Sequence, residues 1–519
     1  MQFEKKEILT YRKGNAVQDQ FFLNEDYNVP DAKPDVQRIL LGEGKAVVED
    51  MRKVENYIRV TGKIEFQVLY VPDGGMVRLA SMEGKLPFEE MVYMEEVPEG
   101  SLFVKKADVE LTASMIHSRK LNIKAVTEME IVSEGQETMT ITMDAEAENS
   151  VLKRKKEEEV LKLFTMKQDS FRIKEEINID GTKENISSLI WCKTEGRKLD
   201  IRIGTDEVQL QGEIIFFCFY ETEEGNIEWM EQIVPYQGTV KLYGVKESMY
   251  HQIYPVLKDI ITDIRIDEDG EQRKIGIEAT LELKIVIYEE EKVEVLEDLY
   301  VLDHKSILKK EEMKLEQLLM QNHLKCKVVE RLSLPEIKDD ILQICHSSAK
   351  VQLESTEIRE NGIQAEGVLH VSFIYVKPND VMPFDMWHGM VPFSCLVESN
   401  VVTADMEVLM SAALEQMVIG LLGSDEIEIK AVIAFQCLLK KMIHMNNIEE
   451  AEFLPMEQKE LEKMPGIVGY IVKDGDSLWN LAKKYNTTIE SIEEMNSLDA
   501  KELKPGQKIL IFKEKMGIL

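Results

Sequence analysis

Histidines, cysteines and carboxylates serve most often in catalysis and metal binding, and this chain spreads them without a recognisable pattern. The motifs GxSxG, GxxxxGK[ST] and HExxH do not occur in the sequence. Cys345 and His346 are adjacent, but neighbours on a strand point to opposite faces and do not form a ligand pair. With 96 Asp and Glu residues, an acid/base pair can be nominated almost anywhere, so none is informative. The sequence predicts no enzyme, metal or cofactor.

The cysteines show neither CxxC spacing nor a nearby His/Cys cluster. We expect them to be reduced, mostly buried thiols that pack as small apolar side chains. The six residues are Cys192, Cys218, Cys326, Cys345, Cys395 and Cys437.

The net charge of the chain is −33 at pH 7. Nucleic acids and anionic membranes are held mainly by Lys and Arg, so this charge argues against both as partners, although it also serves solubility alone. The sequence contains no apolar stretch long enough for a transmembrane segment, and residues 1–22 lack the apolar core of a secretory signal. We expect a chain that stays where it is made and that binds proteins or neutral glycans.

One strand pattern occurs three times, as VTGKIEFQVLY, LQGEIIFFCFY and AEGVLHVSFIY. The glycines are 150 and 155 residues apart, which is the spacing of whole domains rather than of solenoid repeats. An apolar-Pro-aromatic step follows each copy in the same order. A glycine in the apolar row packs nothing and weakens a strand, so we interpret it as a bulge or a close backbone approach. These fold markers are Gly62, Gly212 and Gly367, each with a tyrosine eight residues later, at Tyr70, Tyr220 and Tyr375.

Each copy alternates apolar and polar residues between turns, which indicates β-structure with one or two short helices. The charged stretches SVLKRKKEEEVLKLF, from Ser150, and SILKKEEMKLEQLLM, from Ser306, are predicted to be helices between the copies. We therefore predict a multidomain, mainly β or α+β chain. It has three tandem homologous β-rich domains, over residues 1–150, 151–305 and 306–460, and a small βααβ module over residues 467–513.

The C-terminal module has its own start and stop signals. Asp476 or Ser477 can cap a first helix. A second helix is predicted to begin at Thr487, with Glu490 completing a capping box, and a last strand covers residues 508–512.

This module closely resembles the LysM domain, in Y-x-V-K-x-G-D-S-L-W, in the following L-A-x-x-Y and in the final P-G-Q-K-I. LysM domains commonly bind N-acetylglucosamine glycans such as peptidoglycan in a groove between two loops. An alternative interpretation gives these residues only helix capping, helix termination and packing. The groove residues that the resemblance implies are Asp474, Gly475, Asp476, Ser477, Trp479, Asn496, Ser497 and Leu498.

Three β-rich copies followed by one LysM module resemble the SipL family of clostridial spore coat morphogenetic proteins, whose repeated region is called the SPOCS domain. The resemblance implies a non-enzymatic scaffold in the mother-cell cytoplasm, at the forespore surface and spore coat. It would bind the coat ATPase SpoIVA, with the LysM module as a docking surface. Two alternatives stay open: a peptidoglycan-binding adaptor, and a cell-wall hydrolase that would need a secretion route and an acid/base pair.

Overall fold

The computed structural model describes all residues except 75–78, 96–99, 148–149, 338–339, 379–382, 400–404, 424, 499–502 and 514–519. Three six-stranded units are followed by a small module, which confirms the predicted mainly β fold and its order. The first unit contains β1 (Gln2–Asn28), β2 (Val36–Val54), β3 (Tyr57–Pro72), β4 (Ala80–Tyr93), β5 (Ser101–His117) and β6 (Lys120–Glu146). The second contains β7 (Val151–Asn178), β8 (Ile186–Gly204), β9 (Glu207–Thr222), β10 (Ile227–Lys241), β11 (Tyr250–Ile266) and β12 (Gln272–Val301).

The third unit contains β13 (His304–Ser333), β14 (Gln343–Arg359), β15 (Gly362–Val376), β16 (Phe384–Glu398), β17 (Met406–Leu421) and β18 (Glu426–Pro455). The module contains α1 (Gln458–Lys463), β19 (Ile467–Ile471), α2 (Leu478–Tyr485), α3 (Ile489–Asn496) and β20 (Lys508–Phe512).

Each unit consists of two antiparallel three-stranded sheets with the same strand order. In the first unit the orders are β1-β6-β5 and β2-β3-β4, and the other two units repeat them. The sheets enclose one apolar core, to which Val60, Ile64 and Phe66 of β3 contribute. Because β5 lies beside β2 and β4 beside β1, the edges of the two sheets cover each other.

The repeated glycine lies opposite the aromatic residue of the repeated Pro-aromatic step in each unit. A Cβ atom at Gly62 would lie 2.7 Å from the Phe88 ring and 2.3 Å from the carbonyl oxygen of Val47 on the neighbouring strand. The glycine therefore allows a close backbone approach, and an aromatic ring covers it. The facing pairs are Gly62 and Phe88, Gly212 and Tyr236, and Gly367 and Phe393.

The prediction of helices between the copies is wrong. Residues 150–164 and 306–320 run into the long strands β7 and β13. Lys and Glu favour helices, but β7 pairs with β12 along its whole length and buries Val160 and Leu163, and this tertiary gain outweighs propensity. The short helices predicted inside the copies are also wrong, since the described part of the three units contains only a 3-10 turn over Pro335–Ile337.

In each unit, the two sheets and the core between them form a body. The outer halves of the longest strands leave this body and join those of the other two units in one stalk. We define the stalk as three two-stranded arms, residues 2–12 with 135–146, 151–162 with 289–301, and 304–316 with 442–455. Each arm has about 12 residue pairs and is therefore about 40 Å long. All three arms contribute to one apolar core, made of Ile8, Ile141, Val160, Val293, Val295, Met313, Leu315 and Met445.

The three bodies form a closed ring rather than a row. The first contacts the second through Lys45, whose Nζ donates to the carbonyl oxygen of Leu257 at 2.8 Å. The second contacts the third through Glu231 and His346, whose Oε2 and Nδ1 atoms are 2.6 Å apart. The third returns to the first through an ion pair between Lys350 and Asp108.

Three residues from equivalent positions meet inside this ring. Lys193 Nζ donates to Glu43 Oε1 at 2.5 Å and to Ser348 Oγ at 3.1 Å. Each of the three lies 27 residues before the repeated tyrosine of its unit, so the ring has an approximate threefold arrangement. A cavity of about 2800 Å³ lies between the bodies and is lined by all three.

The expectation that all six cysteines are free thiols is wrong for Cys326 and Cys395, which form a disulfide. They are 69 residues apart in sequence, and their Cα atoms lie 6.3 Å apart. β13 and β16 lie side by side at one edge of the third unit, and this brings the two cysteine side chains together. The other four cysteines are free, as expected.

Candidate functional site

The C-terminal module folds as two strands and two main helices around its own core. β19 and β20 pair antiparallel, with Tyr470 opposite Ile509. Leu481, Ile492 and Ile511 are buried between the helices and the sheet. This arrangement places one loop between β19 and α2, and a second loop after α3.

The first loop contains four of the residues nominated from the sequence. Asp476 Oδ2 accepts hydrogen bonds from Lys473 N at 2.7 Å and from Tyr470 Oη at 2.9 Å, and the bond from the Lys473 N–H holds the pKa of Asp476 below its ordinary value. Ser477 caps α2 by accepting from the backbone N–H of Asn480. Asp474 and Gly475 are exposed at the tip, where a φ of 81° favours glycine. The polar atoms of Asp476 and Ser477 thus shape the loop, while Asp474 faces solvent.

Three more of the nominated residues, Asn496, Ser497 and Leu498, lie at the second loop. The Asn496 side chain donates to Leu510 O and accepts from Leu510 N, both at 2.7 Å, so it ties the end of α3 to β20. Ser497 is exposed, with a left-handed φ of 49°. Leu498 is half-buried against the module core. The helix before this loop begins at Ile489, two residues after the predicted start at Thr487. Its cap is Thr488, which accepts from the backbone N–H of Ser491, so the predicted capping box of Thr487 with Glu490 is wrong.

Trp479 lies away from both loop tips, in an interface between α2 and the stalk. Its Nε1 donates to Asp298 Oδ2 at 2.7 Å, and its ring packs edge-on against Tyr300 at 5.0 Å between centroids. Lys483, one turn further along α2, donates to Asp298 Oδ1 at 2.7 Å. The ring of Trp479 is only 7% exposed. The residue that the sequence nominates for ligand binding therefore holds the module to the rest of the chain.

The end of α2 completes this docking interface. Tyr300 Oη donates to Thr487 O at 2.7 Å, and the Asn486 side chain donates to Asp303 Oδ1 at 2.9 Å. Burial alone would raise the pKa of Asp298, but the hydrogen bonds from Lys483 and Trp479 lower it more, so that it lies below its ordinary value. The module is thus fixed at the stalk tip, about 40 Å from the bodies.

Sequence reasoning did not find Asp298, Tyr300 or Asp303. They lie about 180 residues before α2, and nothing in their local sequence distinguishes them from other strand residues. The only available signal was the spacing of Trp479 and Lys483, which places both on one face of α2.

Both the three units and the C-terminal module match known protein families. The SPOCS domain model of SipL matches residues 35–117, 185–265 and 340–422, and the LysM domain model matches residues 470–512. The chain has the domain architecture of the SipL family. Each SPOCS match covers the second to fifth strands of one unit, so the stalk lies outside the matched segments.

Two curated proteins show local similarity. One is the probable autolysin SsaALP of Staphylococcus aureus, 48% identical over 42 residues, which are 8% of this chain and 16% of that protein. The other is the probable endopeptidase p60 of Listeria grayi, 42% identical over 41 residues, which are 8% of each protein. The chain therefore spans less than a fifth of the length of either relative. No solved structure matches the chain.

In the part of the chain that the structure describes, no group of three or more His, Cys, Asp or Glu side chains is arranged to hold a metal ion. No helix within the same residues has the length and apolar character needed to cross a bilayer.

Proposed function

We propose that this chain is a non-enzymatic scaffold of the spore coat that binds a SpoIVA-like coat ATPase through its LysM module at the forespore surface, in the mother-cell cytoplasm. The observation that carries the proposal is the docking of α2 on the stalk through Asp298. This contact places the exposed loop residues Asp474 and Ser497 at one end of the molecule. The closed ring of the three bodies, called the SPOCS ring, lies at the other end. Such a molecule can connect a partner at each end at a fixed distance.

We further propose that each SPOCS unit acts as one domain together with its stalk arm. The domains then cover residues 1–150, 151–305 and 306–460, and the LysM domain covers residues 467–513. This division is supported by the six-stranded pattern, in which the first and last strands of every unit form its arm.

Three contacts favour a protein over a glycan as the ligand of the LysM module. Sugars are usually held by exposed aromatic faces and free polar groups. Here Trp479 is buried against Asp298, and the side chains of Ser477 and Asn496 are engaged in capping α2 and tying α3 to β20.

Co-purification with the SpoIVA-like ATPase tests the proposal. The full chain should bind, and deletion of residues 464–519 should abolish binding while circular dichroism still shows the β-structure of the three units. Binding retained after the deletion would contradict the assignment to the LysM module.

A peptidoglycan-binding adaptor is the second candidate. It is favoured by the relatives, which are named as a probable autolysin and a probable endopeptidase. Sedimentation of the full chain with purified peptidoglycan at moderate salt tests it. Binding that is lost on Asp474→Ala with Ser497→Ala would favour the glycan, since both residues are exposed and the pair can be changed without loss of the core.

Localisation provides a separate test. A fluorescent fusion in sporulating cells should form a shell around the forespore, while a diffuse or septal signal would contradict the coat assignment.

A further inference from the structure

The outer face of the LysM sheet carries an exposed apolar patch, which we define as Ile467, Ile471, Met495 and Leu510. Their side chains are 53%, 58%, 51% and 47% exposed. The alternate strand residues Val468, Ile509 and Ile511 pack into the module core, so the patch lies on the opposite face of the sheet.

The four members of the patch are contiguous. Gly469 lies opposite Leu510 and leaves the surface between Ile467 and Ile471 flat. The hydrogen bonds of Asn496 to Leu510 bring the neighbouring Met495 to the edge of the sheet. The patch is therefore one surface built by β19, β20 and the end of α3.

The size of this patch argues against a second copy of the chain as its occupant. Four half-exposed side chains present on the order of 300–400 Å² of apolar surface, a size that is often functional on a single protein. A stable dimer buries roughly 800 Å² on each partner, about twice that area. An occupant must therefore also use the surface beside the patch.

The surface on the α3 side of the patch is acidic, whereas Lys508, exposed opposite Ile471, is a basic residue of the sheet face itself. α3 contains Glu490, Glu493 and Glu494 and no basic residue. None of the three forms an ion pair with another described residue of the chain. Charge complementarity therefore selects an occupant with basic side chains next to apolar ones.

We propose that the patch and the acidic face of α3 together bind a basic amphipathic segment of the partner protein, with aliphatic side chains on the sheet and Lys or Arg beside α3. This proposal rests on the proposed function and specifies the surface used. That surface differs from the loop tips at Asp474 and Ser497.

The test uses the full chain and two variants with the same change in charge. Ile471→Asp with Leu510→Asp alters the patch, and Ile266→Asp with Met390→Asp alters two apolar residues of the SPOCS units that are somewhat more exposed than the patch residues. We expect the patch variant to bind the SpoIVA-like ATPase at least about ten-fold more weakly than the ring variant. Glu490→Lys with Glu494→Lys should weaken binding several-fold and reduce its salt dependence.

A helical Lys/Leu peptide serves as a second probe, because its binding does not depend on the identity of the coat partner. Fluorescence anisotropy should show about ten-fold weaker peptide binding to the patch variant than to the ring variant. If this difference is seen but the unaltered chain does not bind the ATPase, the patch stands and the proposed function fails. Equal binding of the two variants to both the ATPase and the peptide would overturn the proposal that the patch binds a basic amphipathic segment. Loss of peptidoglycan sedimentation in the patch variant, but not in the ring variant, would also overturn it.

Discussion

Asp298 is the residue that fixes the LysM module to the stalk. Its carboxylate accepts from Trp479 and Lys483 of the module, and from Lys310 of the neighbouring arm at 3.2 Å. A hydrogen bond to a charged group contributes about 1.5–3 kcal/mol when it is well buried, and each partner left unsatisfied costs a similar amount. Asp298 thus fixes the module together with the contacts from Tyr300 to Thr487 and from Asn486 to Asp303.

We expect Asp298→Ala to release the module without unfolding it, because its own core is formed by Leu481, Ile492 and Ile511. Hydrogen exchange of the α2 amides should become at least ten-fold faster, which corresponds to about 1.4 kcal/mol. Glu294→Ala, an exposed carboxylate on the same strand, is the control and should leave exchange unchanged. Unchanged α2 protection in the Asp298 variant would contradict its role.

The docking should also depend on pH. The folded pKa of Asp298 lies below its ordinary value of 3.8, so its contribution is complete above that value and is lost as the pH falls through the folded pKa. Measured from pH 6 downward, α2 protection should therefore begin to fall only below about pH 4. The Asp298→Ala variant should lack this step, and the same step in the variant would assign it to another group.

The repeated strand shows how one element constrains its neighbours. Gly62 on β3 faces Phe88 on β4 and approaches the backbone of β2, so three strands meet at one glycine. The same contact occurs at Gly367, where a Cβ atom would lie 2.2 Å from Gln352 O. The motif therefore marks a point of close packing in the fold.

Gly62→Ala should destabilise the first unit by about 1–3 kcal/mol, because the added methyl group must displace backbone or an aromatic ring. Urea unfolding measures this loss. Gly181→Ala is the matched control, since nothing lies within 4 Å of a Cβ atom there, and it should change stability by less than about 0.5 kcal/mol. Equal stability of the two variants would show that the close approach relaxes freely.

The disulfide gives the third unit a property that the other two lack. At the strand position of Cys326, the first and second units have Phe21 and Phe171, whose rings pack on Phe88 and Tyr236. Dithiothreitol should therefore lower the thermal stability of the third unit by about 2–4 kcal/mol. Thermal unfolding with and without the reductant measures this change. A Cys326→Ser, Cys395→Ser variant should not respond, and an equal response in that variant would place the effect elsewhere.

At the scale of the whole molecule, the first and third SPOCS units contact each other directly. In the stalk, Thr142 Oγ1 donates to Ile448 O at 2.7 Å, and Asn447 Oδ1 accepts from Thr142 N at 2.8 Å, both in buried positions. In the ring, an ion pair joins Arg38 to Asp385. The chain is thus a closed body instead of three units joined only by linkers.

We expect the chain to stay assembled after a cut between the first two units. A protease site is introduced in place of residues 148–149, and the folded protein is incubated with the protease. The cut protein should elute as one particle of unchanged size in gel filtration, because stalk and ring contacts hold the first unit from both sides. Denaturing electrophoresis confirms that cleavage is complete. Separate elution of the fragments would refute the closed arrangement.

The sequence by itself determined the three copies, their order, the LysM module and the mainly β fold, because alternation, turn residues and motif spacing are local properties. It also singled out Gly62, Gly212 and Gly367 as fold markers, with a bulge and a close backbone approach both left open. Local patterns failed for residues 150–164 and 306–320, where helix-forming Lys and Glu are recruited into strands by partners more than 100 residues away.

Only the tertiary structure decided how the copies are arranged. Ring closure, the shared stalk, the disulfide and the docking of Trp479 on Asp298 all join residues that are 69 to 347 positions apart. Such contacts leave no periodic signal, since each depends on which faces meet after the chain has folded. For the same reason, the sequence identified the LysM loops, but only the fold showed that Trp479 is buried against Asp298 and that Ile467, Ile471 and Leu510 are about half exposed on the outer sheet face.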